Sequence, residues 1–241
     1  MKKRTKVISG LLAGIGTLAV GGTLWLQRSI KKPSGAAEQA IRGALKQEEG
    51  WYFPSLKDDL PLVIVYPGAL IDVRAYSIWA EKLADVGYPV FLVTMPLELA
   101  LLAPQRAEKV LNRFSERNYV IGGHSLGGFT ASGVAAQRLE ADDSRLKGVF
   151  YLASYTDDDV ILQNSDLASL VVTGSKDKDI KEKDVLEKKQ SYPKNSRFYS
   201  INGGDHLGFA SVAGHQGKAL PEQQQQQQVA ALLKDWLETI R

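Results

Sequence analysis

Short apolar runs, each closed by glycine, proline or a polar turn, recur along the body of this chain, and segments with helical spacing separate most of them. The runs are PLVIVYPGAL (61–70), YPVFLVTM (88–95), NYVIGG (118–123), LKGVFYLASY (146–155), LASLVVTGSKD (167–177) and RFYSINGGDH (197–206). Their apolar residues are continuous rather than alternating, which predicts strands buried on both faces, as in a parallel sheet. Helical spacing is read at 72–87, 103–116, 126–140, 181–192 and 221–241, with Asp72 as a candidate N-cap, Gly87 as a stop, and Pro104 and Pro221 near first turns. Strands alternating with helices place the chain in the α/β class with a mostly parallel sheet flanked by helices. Reactive groups in such folds gather at the carboxyl ends of the strands. The polar groups there are Gly68–Ala69, Ser125, Tyr155–Asp159, Asp177 and His206.

Gly123-His124-Ser125-Leu126-Gly127 fits the G-x-S-x-G pattern between a predicted strand and a predicted helix. A nucleophilic serine on so sharp a turn needs glycine on both sides to clear the neighbouring strand and helix. Gly128, Ala131 and Ser132 would let that helix lie close to the sheet. The helix N-terminus would add backbone N–H groups where an oxyanion forms. Ser125 is therefore the candidate nucleophile. Its base must come from three histidines. His124 is adjacent in sequence, so its side chain diverges and it reads as a support of the turn. His206 follows the last strand after the flexible Gly203–Gly204 and is the candidate base, with His215 as the alternative. Asp177, at the tip of the preceding strand, is the candidate acid; Asp179 and the group Asp157–Asp159 are the alternatives. The oxyanion donors are expected to be the amides of Leu126 and Ala69, with Leu70 as a fallback.

Two segments have no place in this chemistry. Val7–Leu26 carries no charge over a length of about 30 Å as a helix, and Lys2, Lys3, Arg4 and Lys6 precede it. It reads as an N-terminal hydrophobic helix that anchors the chain to a membrane with an extracytoplasmic body, or alternatively as a cleaved signal. Gln223–Gln228 reads as a solvated helix face.

Composition narrows the classes further. Seven basic and no acidic residues lie in 1–32, so a net charge of +3 becomes −4 for the remainder. An acidic body offers no footprint for nucleic acid. The absence of cysteine excludes disulfides, thiolate metal sites and a cysteine nucleophile. The organisation expected is a segment 1–32, a polar and partly helical linker 33–50, and a domain 51–241.

YPGALIDVRAYSIWAEKLADVGYPVFLV, IGGHSLGG, VVTGSKD and NGGDHLGFA together resemble the α/β-hydrolase family, from about Leu60 to the end of the chain, and most nearly its small lidless branch related to dienelactone hydrolases. The order Ser125, Asp177, His206 is that family's order. The resemblance implies an eight-stranded or slightly reduced sheet, a serine triad, and no metal or organic cofactor. It implies hydrolysis of small-molecule or lipid-like esters through an acyl-enzyme. Two features depart from the pattern. The common H-G-G oxyanion signature is YPGA here, which leaves the donor less defined. The stretch between VFYLASY and LASLVV is short, which predicts an open site with no substantial cap. Peptidase, thioesterase or acyltransferase activity would use the same residues, and a membrane-tethered binding protein without turnover would keep the same fold.

Overall fold

Odd and even residues of the central strands feed two different apolar layers, and this alternation sets the architecture. The computed structural model describes residues 28–57, 59–156 and 162–240; Val7–Leu26 and Asp157–Asp159 lie outside them. Among the described residues no helix is long and apolar enough to cross a membrane. Lys31–Arg241 form one structural unit.

Eight strands form one sheet: β1 (Leu45–Lys46), β2 (Gly50–Phe53), β3 (Leu62–Tyr66), β4 (Val90–Val93), β5 (Tyr119–His124), β6 (Leu146–Leu152), β7 (Ala168–Gly174) and β8 (Ser196–Ile201). Their order is β1-β2-β4-β3-β5-β6-β7-β8. β1–β2 and β2–β4 pair antiparallel and all the others pair parallel. Every residue of β3, β4 and β5 is buried, as the continuous apolar runs predict. Val63, Val65, Leu92 and Val172 point into one layer with Trp79, Val229, Leu233 and Trp236. Ile64, Tyr66, Phe91, Ile121 and Val171 point into the other, with Val110, Leu111, Ala131 and Val134.

The helices are α1 (Gly35–Ala40), α2 (Ser77–Asp85), α3 (Ala107–Arg113), α4 (Leu126–Glu140), α5 (Glu182–Glu187) and α6 (Glu222–Leu237). The Asp72 carboxylate accepts from the Arg74 amide and opens a 3-10 turn, Val73–Tyr76, that runs into α2. Gly87 takes φ +110° after that helix, a conformation glycine adopts without penalty. Trp51, Tyr52 and Phe53 seal the sheet near its β1 edge: Phe53 is buried, Trp51 packs on the first layer and Tyr52 on the second.

The 33–50 stretch, expected to be a linker, is folded onto the body. It holds α1, β1 and the start of β2. Ala37 and Ala40 are buried, Ser77 Oγ donates to the Ala37 carbonyl at 2.7 Å, and Ser34 Oγ lies 2.7 Å from Ser211 Oγ. The polar composition suggests a linker; two buried alanines on a six-residue helix, with the Ser77 and Ser34 hydrogen bonds, dock it.

α2, which follows β3, lies on the first layer, and α4, which follows β5, lies on the second. The two crossovers leave adjacent parallel strands toward opposite faces, so a crevice opens at the carboxyl ends of β3 and β5.

Candidate active site

Ser125 sits in that crevice, between the last residue of β5 and the first of α4, at φ +51° and ψ −123°. A non-glycine residue in this region carries strain of roughly 1–3 kcal/mol. Glycines make the turn possible. A Cβ on Gly123 would lie 2.2 Å from the Tyr66 carbonyl oxygen; one on Gly127 would lie 2.2 Å from the same oxygen and 2.5 Å from that of Pro67. The end of β3 is thus pressed directly against the start of α4. Backbone contacts fix the turn on its other side: the Ser125 amide donates to the Leu152 carbonyl at 3.0 Å, and Ser154 Oγ donates to the Ser125 carbonyl at 2.7 Å.

Ser125 Oγ lies 3.1 Å from His206 Nε2, and His206 Nδ1 lies 2.8 Å from Asp177 Oδ2. The Asp177 side chain is fully buried. Its Oδ1 accepts the amides of Asp179 and Ile180, each at 2.8 Å, so Oδ2 is left for the imidazole. This arrangement makes His206 Nδ1 the protonated nitrogen and turns the Nε2 lone pair to the serine hydroxyl. The three residues come from the ends of β5, β7 and β8.

Among the described residues, two of the alternatives make different contacts. His215 Nε2 is 3.0 Å from Asp205 Oδ1. Asp179 contributes its amide rather than its carboxylate. Asp177, Asp179 and His206 also form a cluster of three metal-ligating side chains, with ligand atoms within 4.8 Å of one another, but the Asp177–His206 hydrogen bond already joins two of them. The Leu70 amide is taken by the Glu98 carbonyl at 2.9 Å, which removes it as an oxyanion donor. Ala69 is exposed and Leu126 half-buried, at facing ends of β3 and α4.

His124 supports the turn from beneath. It is fully buried, and Tyr76 links it to the end of β3: the Gly68 amide donates to Tyr76 Oη at 2.8 Å, and Tyr76 Oη is 3.0 Å from His124 Nδ1. Tyr76 Oη and His124 Nδ1 share a hydrogen bond whose direction follows the imidazole tautomer. Burial, with the neighbouring His206 adding to it, holds the His124 pKa well below 6.5, while a contact with the His206 backbone acts weakly the other way. His124 Nε2 has no hydrogen-bond partner among the described residues. The two imidazole rings are 4.6 Å apart, and a neutral His124 spares His206 a second positive charge at that distance.

The glutamine run corrects the sequence reading. Gln225 and Gln226 are buried rather than solvated. Gln225 Oε1 accepts the Asp205 amide at 3.0 Å and its Nε2 donates to the Asp205 carbonyl at 2.8 Å. Gln226 Nε2 donates to the Gly208 carbonyl at 2.7 Å. These two side chains grip the backbone on either side of His206. A Cβ on Gly208 would fall 2.0 Å from Gln225 Oε1.

The segment Met95–Pro104 forms successive 3-10 turns with Leu101 and Leu102 exposed. Leu97 and Glu98 have φ of +53°, as Leu70 has +56°. Burial, with Asp72 adding to it, pushes the Glu98 carboxyl up to about 7. Residues 153–167 join β6 to β7, too few for a separate cap domain.

Solved structures share this architecture. One is MGS-MChE2, an alpha/beta hydrolase enzyme from the metagenome of sediments of the Mar Chica lagoon, Morocco, with TM-score 0.61 and 13% identity over 81% of this chain and 98% of that one. A second is carboxyl esterase 2 from the mycorrhizal fungus Tuber melanosporum, with TM-score 0.57 and 14% identity over 82% and 85%. A third is the esterase domain of a Rhodothermus marinus protein, with TM-score 0.57 and 15% identity over 77% and 90%. At such identities the likeness is one of fold. No curated protein matches significantly in sequence. The sequence model of the alpha/beta hydrolase family matches residues 62–230, well over half of the sequence, and the chain belongs to that family.

Proposed function

We propose that the chain is a serine hydrolase that cleaves ester-like bonds through an acyl-enzyme. The observation that carries this reading is the continuous relay from Ser125 Oγ to His206 Nε2 at 3.1 Å and from His206 Nδ1 to Asp177 Oδ2 at 2.8 Å. In the proposed cycle His206 Nε2 takes the Ser125 proton as Oγ bonds to the ester carbonyl carbon. The carbonyl oxygen becomes an oxyanion, held by the amides of Leu126 and Ala69. His206 then returns the proton to the departing alkoxide. Water, deprotonated by the same nitrogen, releases the acid and restores Ser125. Asp177 keeps the tautomer and stabilises the imidazolium throughout.

Esters are preferred to amides on the likeness to proteins described as carboxyl esterase 2 and as an esterase domain. Residues 1–32 are proposed to hold this domain at the outer face of a membrane, because Val7–Leu26 is uncharged and follows a basic start. Extraction of membranes with alkaline carbonate should leave the chain in the pellet with its N-terminus intact; a shortened, soluble product would identify a cleaved signal instead.

The deciding experiment is the intact mass of the full-length chain after exposure to a fluorophosphonate, with Ser125→Ala as control. One adduct, absent from the variant, is expected. No adduct on the folded protein would sink the enzymatic reading and leave a binding protein with an inherited turn. Rates on matched ester, thioester and amide analogues would then assign the bond cleaved.

A further inference from the structure

A cavity of about 370 Å³ lies against His206 on the side of the β7 and β8 loops. Leu207 and Ala219 line it with apolar surface, and Lys176, Lys178 and Lys218 stand around it. All three lysines are exposed, and among the described residues none is ion-paired. Two carboxylates also reach the lining, Asp179 and Asp205. Asp205 is engaged: its Oδ1 accepts the Gly208 amide at 2.9 Å and lies 3.0 Å from His215 Nε2, another lining residue. Three ammonium groups therefore stand against two carboxylates, one of them already engaged. The excess of positive charge runs against the domain, since the chain beyond residue 32 has a net charge of −4. A concave, partly apolar site with a few charged groups of one sign selects ligands by charge as well as by shape.

We propose that this cavity receives an anionic group of the substrate, so that the preferred substrates are esters carrying a carboxylate or a similar oxyanion a few bonds from the scissile carbonyl. This rests on the hydrolase reading and on placement: His206 lines the cavity and its Nε2 lies 3.1 Å from Ser125 Oγ, so cavity and nucleophile share one residue as a wall. The lysines act on binding and orientation and take no part in proton transfer. An electrostatic rim of this kind raises kcat/KM for the anion chiefly through encounter and KM, and weakens as salt screens it.

The test uses the full-length chain and three 4-nitrophenyl esters of equal chain length: hexanoate, the mono-ester of adipate, and 6-(trimethylammonio)hexanoate. The wild type should favour the adipate ester over the cationic one by roughly tenfold in kcat/KM at low salt, and 1 M NaCl should collapse that ratio. Each of Lys176→Glu, Lys178→Glu and Lys218→Glu should lower the ratio by roughly threefold, with KM moving more than kcat. Binding of the adipate and trimethylammonio esters to Ser125→Ala, read by ligand-observed NMR, should show the same order. Equal kcat/KM for the three esters, or a preference for the cation, overturns the lysine rim while leaving the hydrolase intact. Turnover of none of the esters, with anion preference kept in binding, sinks the hydrolase and spares the rim. Loss of preference in both readouts refutes the rim outright.

Discussion

Gln225→Ala removes a side chain that never touches the reacting atoms, and it should nevertheless impair them. Gln225 makes two hydrogen bonds to one residue, accepting from the Asp205 amide at 3.0 Å and donating to its carbonyl at 2.8 Å. Truncation loses both, each worth about 0.5–1.5 kcal/mol, and leaves an amide and a carbonyl to find water in a partly buried loop. It also empties the space against Gly208, which has no Cβ with which to fill it. Together these give a destabilisation of about 2–4 kcal/mol, or a Tm lower by roughly 5–15 °C for a domain of this size. His206 is the next residue in the chain, so the freed backbone displaces the imidazole relative to Ser125. A displacement near 1 Å costs about 100-fold in rate, so kcat should fall by roughly 10–100-fold with KM less affected. Differential scanning calorimetry and turnover of 4-nitrophenyl acetate, measured well below the variant's Tm, separate the two effects. Gln226→Ala, which loses only the bond to the Gly208 carbonyl two residues beyond His206, should show the smaller change in kcat. A Gln225→Ala protein with lowered Tm but kcat within twofold of wild type would refute the reasoning. The Asp177 hydrogen bond and the Lys176 amide on the Gly204 carbonyl would then suffice to place the histidine.

Three further perturbations test other parts of the site. Tyr76→Phe strands the Gly68 amide and His124 Nδ1 without their shared hydroxyl, so stability should drop by about 2–4 kcal/mol in urea unfolding, and kcat should fall because Ala69 follows Gly68. Gly127→Ala puts a Cβ 2.2 Å from the Tyr66 carbonyl oxygen and should cost about 3 kcal/mol or more, with fluorophosphonate labelling lost in whatever folded protein remains. The pH dependence of stability should carry two opposed slopes. His124 has a folded pKa depressed below 6.5, so the unfolded chain binds the extra proton; its contribution is complete above about 6.5 and is lost by up to about 1.4 kcal/mol per pH unit below that. Glu98, raised from 4.5 to about 7, acts in the other sense: the folded state holds the extra proton, and stability falls as pH rises from 4.5 to 7. Glu98→Gln should therefore unfold at higher urea than wild type at pH 8 and at about the same urea at pH 5; an equal offset at both values would remove the carboxyl from the account.

What the sequence could and could not reveal follows from the kind of group involved. The juxtaposition of Ser125, Asp177 and His206 is legible because a parallel sheet delivers the ends of β5, β7 and β8 to one edge, and few polar residues stand at those ends. The glycines of the turn are legible for a related reason, since their role is a missing Cβ and only the residue type can supply it. Composition alone reads Gln225 and Gln226 as solvated, whereas their helical phase places them inside. They lie four residues before Val229 and Ala230, on the stripe that continues to Leu233, Trp236 and Leu237, and all seven are buried. That periodicity was the available signal. For α1 and β1 there was little to read, because six-residue and two-residue elements hold too little of either period to stand out. Tyr76, Ser154 and Glu98 left no signal at all. Tyr76 and Ser154 hold backbone atoms of the Gly68 and Ser125 turns, Glu98 offers its own carbonyl to Leu70, and no spacing rule links residues 8, 29 and 28 positions apart through a main-chain group. Side chains that perform chemistry are constrained by type and can be found from a pattern. Side chains that hold a backbone in place are constrained only by reach, and their mutational effects on Ser125 and His206 are where this site departs from what its motif alone predicts.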